Sequence, residues 1–288
     1  MKKVFFFFFS ILFFLSSNAQ ENQNLIIKNA LQYIGTPYRA HTLEFGHQEK
    51  LVVNKKAVDC TTFVEYVLAQ SLAQLDSINK QSEKTFLQKI RYRDGIINGY
   101  TSRLHYFSEW IQEGEKNKFI TDITALEATD SMYIALSYMS THPQYYKHLS
   151  NSSQNREEIA EVEKSISGTI IKWLPEQKLP TEGLPWIKNG DIIALTVGIY
   201  GLDVSHVGFA IYQGGQLHLL HASSAKGKVI IEPIPLSTML QRNKNWTGIR
   251  VLRPNVYLDQ KEYTKTEALI ESKDSTENKI DSLKILTE

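Results

Sequence analysis

The sequence has one cysteine, Cys60, in 288 residues. No intrachain disulfide can form, so stability must come from a packed core. Neither sign of charge is in excess: 32 Lys+Arg face 31 Asp+Glu, a formal net charge of +1. That balance excludes a strongly basic nucleic-acid binder and an acidic, solvating chain. Glycine-rich nucleotide loops are missing, as are a His-Glu-x-x-His pair, paired cysteines and a Gly-x-Ser-x-Gly elbow. Metal and nucleotide cofactors are therefore not expected. Apolar runs long enough to cross a bilayer are lacking too. The longest, at residues 4–15, has twelve residues and seven of the thirteen phenylalanines, too few to span. With Lys2 and Lys3 before it and Ser17-Asn18-Ala19 after it, this run reads as a secretory signal peptide, residues 1–19. Gln20 follows, so no lipidated cysteine does. Export to the periplasm or the medium is expected, with no membrane span after processing.

What is present is an ordinary globular composition, 42% hydrophobic and 22% charged. Residues 25–34 carry a helical pattern stopped by Gly35 and Pro37. A second helix starts at Cys60, with apolar residues at 60, 63, 64, 67, 68, 72 and 75. Asp59 or Thr62 can cap it. Further helices are expected at 82–90, 105–113 (stopped by Gly114), 130–140 and 156–166. Short strands follow at 191–197, 206–213, 216–222, 228–234 and 247–252, two of them joined by a Gly214-Gly215 turn. Helices first and antiparallel strands later predict an α+β fold. The expected organisation is one catalytic domain, residues 20–255, with a helical insertion at about 76–188 between the Cys60 helix and the sheet. Residues 256–288 read as a charged tail.

A free cysteine is most often inert and buried. Cys60, however, stands in the first turn of its helix, where the macrodipole and unpaired N–H groups favour a thiolate. A thiol nucleophile needs a base. Folding the two strands about Gly214-Gly215 places Gly208 opposite His221 and Ala210 opposite Leu219. His206 and His221 then become diagonal neighbours on one face, and His218 points to the other. Gly208 and Ala210 leave room on that face for the helix that carries Cys60. Cys60, His206 and His221 thus form a candidate nucleophile, base and orienting residue. Two ordinary strand histidines with satisfied hydrogen bonds are the competing reading.

In order, Gly35-Thr36-Pro37-Tyr38, Asp59-Cys60-Thr61-Thr62-Phe63, Asn189-Gly190-Asp191-Ile192, Ser205-His206-Val207-Gly208 and Leu220-His221-Ala222-Ser223 resemble the motifs of the NlpC/P60 superfamily of papain-like cell-wall hydrolases. Val58 to Glu65 and Tyr100-Thr101-Ser102-Arg103-Leu104-His105-Tyr106-Phe107 resemble more closely its DUF1460 branch, the N-acetylmuramoyl-L-alanine amidase-like proteins. Thr61-Thr62 departs from the Ser-Gly or Ala-Gly of many superfamily members. The resemblance implies a papain-like core with the Cys helix packed on an antiparallel sheet, and peptidoglycan fragments as substrate. It implies cleavage of the bond between N-acetylmuramic acid and L-alanine through a Cys60 thioester. The Cys60 N–H and the Tyr38 hydroxyl would stabilise the oxyanion. Asp59 would bind substrate or only cap the helix. Arg103, His105 and Tyr106 would line the cleft, Arg103 taking a carboxylate and Tyr106 stacking on a sugar. A stem-peptide endopeptidase and a non-catalytic wall-binding module are the alternatives. The oligomeric state is not legible.

Overall fold

The structure is a computed structural model that describes residues 25–46, 48–76 and 79–257. The expected signal peptide, and nearly all of the expected tail, lie outside the described residues. The fold is α+β. Its elements are α1 (Leu25–Leu31), α2 (Cys60–Leu75), α3 (Glu83–Arg91), α4 (Phe107–Lys116), β1 (Ile120–Asp122), α5 (Ile123–Glu127), β2 (Asp130–Tyr133), α6 (Tyr138–Thr141), α7 (Lys147–Ser150), α8 (Ser153–Ile166), β3 (Ile170–Pro175), β4 (Ile192–Val197), β5 (Val204–Gln213), β6 (Gln216–Ser223), β7 (Lys228–Ile231), α9 (Leu236–Arg242) and β8 (Trp246–Pro254). The strands form an eight-stranded sheet in the order β2-β3-β8-β4-β5-β6-β7, with β1 also on β8. Neighbours in this sheet pair antiparallel.

Alternation on β4, β5 and β6 sends apolar side chains to both faces, so both must be covered. One face carries Val207, Phe209, Leu220 and Ala222 and buries them against Phe63, Val64, Val67 and Leu68 of α2. Phe63 meets Phe209 edge to face, with centroids 5.4 Å apart. The opposite face carries Ile193, Leu195, Ala210 and Leu219 and is covered by Leu236, Met239 and Leu240 of α9. The helix bearing Cys60 therefore lies on the Val207/Phe209 face, not on the Gly208/Ala210 face expected from the strand pattern. The reason is volume: Phe209 and Leu220 offer α2 more apolar surface than a glycine and an alanine.

Among the described residues, 76–188 hold the helices α3 to α8 but also β1, β2 and β3, which extend the sheet. Residues 130–133 were expected in a helix and are instead strand β2. Met132, Ile134 and Leu136 are the partly or fully buried side chains there, a period of two. Their strand partner, Ile170 to Trp173, is distant in sequence. A small separate core, including Tyr106, Ile134, Met139, Leu149 and Ile159, binds this region together. Gly114 does not stop α4. A Cβ there would meet Ile120 Cδ1 at 2.8 Å, so glycine lets β1 fold back against the helix.

Helix α2 is tied to α3 by a buried ion pair, Arg91 Nε to Glu65 Oε2 at 2.7 Å, and Arg91 Nη1 also reaches Val52 O at 2.6 Å. Removing one partner leaves a buried charge unpaired, which costs roughly 3–5 kcal/mol. Arg91→Met should lower unfolding free energy by about that amount in a denaturant titration. The double variant Glu65→Leu/Arg91→Met should recover part of it. Equal stability of Arg91→Met and the unaltered protein would show that the pair contributes nothing.

Candidate active site

Helix α2 begins at Cys60 because Asp59 caps it. Asp59 Oδ1 accepts from Thr62 N at 2.8 Å, and Thr62 Oγ1 accepts from Asp59 N at 2.9 Å. This reciprocal cap fixes the first turn. The backbone N–H groups of Val207, on β5, and of Thr61, and the Thr61 hydroxyl, point to the Cys60 sulfur and favour its anion. Burial opposes them and is the largest influence, and the Asp59 carboxylate adds to it. The Cys60 thiol is pushed up to about 11. The thiolate expected from the helix start is therefore outweighed by desolvation.

Cys60 and His206 line one small cavity of ≈ 90 Å³, closed by Leu104, Phe107 and Trp110. The α4 wall is held in place by Asp203, whose Oδ2 accepts from Ser108 N at 2.6 Å next to the start of β5. On β5 the register against β4 shifts between Leu195↔His206 and Thr196↔Val204, so the strand carries an extra residue just before His206.

His206 Nε2 and His221 Nδ1 are 2.6 Å apart, with the rings edge to face. Burial, and then His221, hold the His206 pKa down to about 3, so the ring is neutral at pH 7. Gly208 makes the approach possible: a Cβ there would meet Leu220 O at 2.8 Å and His221 Cβ at 2.9 Å. Behind them lies Glu232, with Oε2 3.4 Å from His221 Nε2. Burial lowers the His221 pKa and Glu232 pulls it the other way. Sequence reasoning missed Glu232. Its signal was parity: Ile230 pairs with His221, and Glu232, two residues on, returns to the same face. Without the register of β7 that signal could not be used.

Tyr38 stands near Cys60 and Asp59. Its backbone bridges Val58, just before the α2 cap. Burial first, then Cys60 and Asp59, push its hydroxyl up to about 12, so it keeps its proton for donation.

Past Thr61, Leu104 and His105 the small cavity adjoins a larger one of ≈ 460 Å³, lined also by Asp59, Glu44, Arg103 and Tyr145. Asp59 Oδ1 is held by the cap, and Oδ2 lies 3.4 Å from Thr42 Oγ1. His105 gives one ring nitrogen to Tyr100 O at 2.9 Å, and burial followed by Arg103 holds its pKa down to about 3.

Two expected substrate contacts need correction. Arg103 is 5% exposed, bonds Glu44 Oε1 at 2.7 Å, lies 3.6 Å from Glu49 and covers the Tyr100 ring. Its charge is already answered by two carboxylates, which leaves none over for a substrate carboxylate. Tyr106 is buried and donates to Glu163 Oε1 at 2.6 Å while Met139 N bonds its hydroxyl. It still lines the larger cavity, with its hydroxyl spent inside the protein. Among the described residues no His, Cys, Asp and Glu side chains gather as metal ligands, and no helix is long and apolar enough to cross a membrane.

Two outcomes follow from this geometry. Alkylation of Cys60 by iodoacetamide should rise about tenfold per pH unit through pH 9, as for a thiol that titrates near 11. A plateau from pH 5 upward would reveal a stable thiolate–imidazolium pair. Arg103→Ala should lower the melting temperature by several degrees, since it strands Glu44 and Glu49. An unchanged melting temperature would show that the ion-pair cluster is not structural.

Residues 28–249 match the family described as AmiA-like, N-acetylmuramoyl-L-alanine amidase-like. An N-acetylmuramoyl-L-alanine amidase from Bacteroides uniformis has a similar structure. It has 50% sequence identity and a TM-score of 0.78, over 80% of this chain and 97% of that one. A Bacteroides fragilis protein provisionally named a xylanase is similar at 53% identity and a TM-score of 0.76, over 78% of this chain and 99% of that one. A DUF1460 protein from Legionella pneumophila shares the fold at 23% identity and a TM-score of 0.58, over 80% and 88%. No curated protein sequence matches the chain.

Proposed function

Because the chain belongs to the AmiA-like, N-acetylmuramoyl-L-alanine amidase-like family, we propose that it is an exported, papain-like cysteine amidase of the NlpC/P60 type. Its substrates are peptidoglycan fragments, and it cleaves the amide between N-acetylmuramic acid and L-alanine in the periplasm or outside the cell. The observation that carries this reading is the line of groups from Cys60 and His206, in one cavity, through His221 to Glu232.

In this reading the His221 Nε2–H points to Glu232, His221 Nδ1 accepts from the His206 Nε2–H, and the His206 Nδ1 lone pair is left for the thiol. Cys60 rests as a thiol and loses its proton to neutral His206 as the sulfur attacks the lactyl carbonyl. The oxyanion takes hydrogen bonds from the Cys60 N–H and the Tyr38 hydroxyl. The tetrahedral species collapses, the C–N bond breaks and His206 returns the proton to the L-alanine amine. Water, activated by His206, then attacks the thioester and frees the lactyl carboxylate and the thiol.

A glycosidase reading is less well supported. Glycosidic cleavage needs two carboxyl groups free to act across the bond. The carboxylates of this cleft are held by the protein: Asp59 Oδ1 by the cap, Glu65 by Arg91, and Glu44 by Arg103 at Oε1 with Oε2 shielded from solvent.

The test is one disaccharide–peptide and mass spectrometry. The expected products are the intact stem peptide with a free L-alanine amine and the sugar with a lactyl carboxylate. A cut inside the stem would make the protein an endopeptidase, and binding without cleavage a wall-binding module. Cys60→Ala should reduce turnover below a few per cent while the protein stays folded. Glu232→Gln should lower kcat about tenfold or more with KM little changed, because the histidine pair loses its fixed tautomer. Unaltered kcat in Glu232→Gln would remove that residue from the mechanism.

A further inference from the structure

One ring beside the histidine pair has no part in the steps above. Trp246 opens β8, and β4 lies between β8 and β5. Its indole nonetheless lies against His206, with ring centroids 6.1 Å apart and planes at 27°. Trp246 Nε1 donates to Ser205 Oγ at 3.1 Å. The indole packs against the core that includes Leu195 and Ile249.

Two extra residues, one on each side of β4, bring these rings together. On β5 the register passes from Leu195↔His206 to Thr196↔Val204 and leaves Ser205 over. On β8 it passes from Thr196↔Gly248 to Val197↔Trp246 and leaves Thr247 over. Opposed residues share a face, and faces alternate along a strand. Leu195 and Val197 are on one face of β4, so His206 and Trp246 are on that face too. Without the extra residue on β8, Thr247 would oppose Val197 and Trp246 would turn to the other face. Bulges commonly re-aim a side chain in this way next to a reactive group. The two bulges also meet, because Ser205, the residue left over on β5, is the one that takes the indole N–H.

His206 needs such a neighbour. His221 holds it through one nitrogen, Nε2, and meets its ring edge to face. A single hydrogen bond is a pivot. A half-turn about the Cβ–Cγ bond would put a C–H where Nδ1 stands, and the base would be lost. A ring packed nearly parallel to the imidazole fixes its plane, and the bulk of an indole takes space that water would fill. We propose that Trp246 is a positioning residue: anchored on Ser205, its indole fixes the plane of His206 and keeps water from the ring. The catalytic consequence rests on the amidase reading; the hold on the ring does not.

Two measurements on the full chain test it. In the first, without substrate, the protein carries isotope-labelled histidine and His206 is followed by NMR through a pH titration. The titratable groups around the ring are Cys60 and His105 in the shared cavity, His221, and Glu232 behind it; the variants leave all four in place. Burial first, then His221, hold His206 down to about 3. Trp246→Leu admits water and should raise the midpoint toward the ordinary value of about 6.5. Trp246→Phe, which keeps a ring, should leave it low. Unmoved His206 resonances and midpoint in Trp246→Leu overturn the proposal. In the second, on the disaccharide–peptide, Trp246→Leu should lower kcat about tenfold with KM within about twofold, and Trp246→Phe should recover most of the loss. The acid limb of kcat should move to higher pH in Trp246→Leu. A raised KM at unaltered kcat would make Trp246 a substrate contact and overturn the positioning role. If Trp246→Leu does not fold, Ser205→Ala, at an exposed residue, takes its place: freeing the indole should shift the His206 resonances and lower kcat about threefold, and unmoved resonances overturn the proposal. If no form cleaves the substrate while the His206 midpoint still rises in Trp246→Leu, the amidase reading fails and the hold of Trp246 on the ring stands.

Discussion

Packing of the first turn of α2 against the start of β5 is the constraint on which the site depends. It places the Cys60 sulfur against the Val207 N–H, in the cavity shared with His206. It also takes the thiol partly out of water. A helix N-terminus favours an anion by about 0.3–1 kcal/mol at an exposed site. Desolvation and the Asp59 carboxylate are stronger here, and the thiol is pushed up. The same burial pulls His206 down to about 3. The two shifts agree in direction, toward a neutral thiol and a neutral ring; in the proposed mechanism that favours general-base chemistry over a preformed ion pair.

Buried charges supply the frame around that site. Arg91 ties α3 to Glu65 on α2, Arg103 gathers Glu44 and Glu49, Arg250 on β8 holds Asp122, and Asp203 anchors the start of α4. Each pairing joins segments far apart in sequence. Such pairs add little net stability against apolar replacements, since desolvation offsets their attraction. Their effect is geometric. They hold the segments that bring Leu104, Phe107 and Trp110 to the Cys60 cavity. This also explains why Arg103 and Tyr106, which share a short motif with His105, serve the scaffold: their polar groups are consumed by Glu44, Glu49 and Glu163.

The sequence by itself determined what local physics controls. The stripe from Phe63 to Leu75 and the Asp59 cap made α2 a helix that begins at Cys60. The Gly214-Gly215 turn fixed the β5–β6 register, with Ala210 opposite Leu219, and that register brought His206 to His221. The match over residues 28–249 bears out the resemblance to the N-acetylmuramoyl-L-alanine amidase-like proteins. Other features were decided by contacts between distant segments. Residues 130–133 became a strand because Ile170 to Trp173 pair with them. Helix α9, absent from the sequence reading, forms where a second apolar sheet face needs cover. Alternation predicts that a strand has two faces but not which one receives a given helix, so α2 chose the face with Phe209. Glu232 reached His221 through the register of β7, which no turn residue specifies. Titration was decided last of all, because a pKa depends on how much water a group loses, and that is set only when the chain has closed around it.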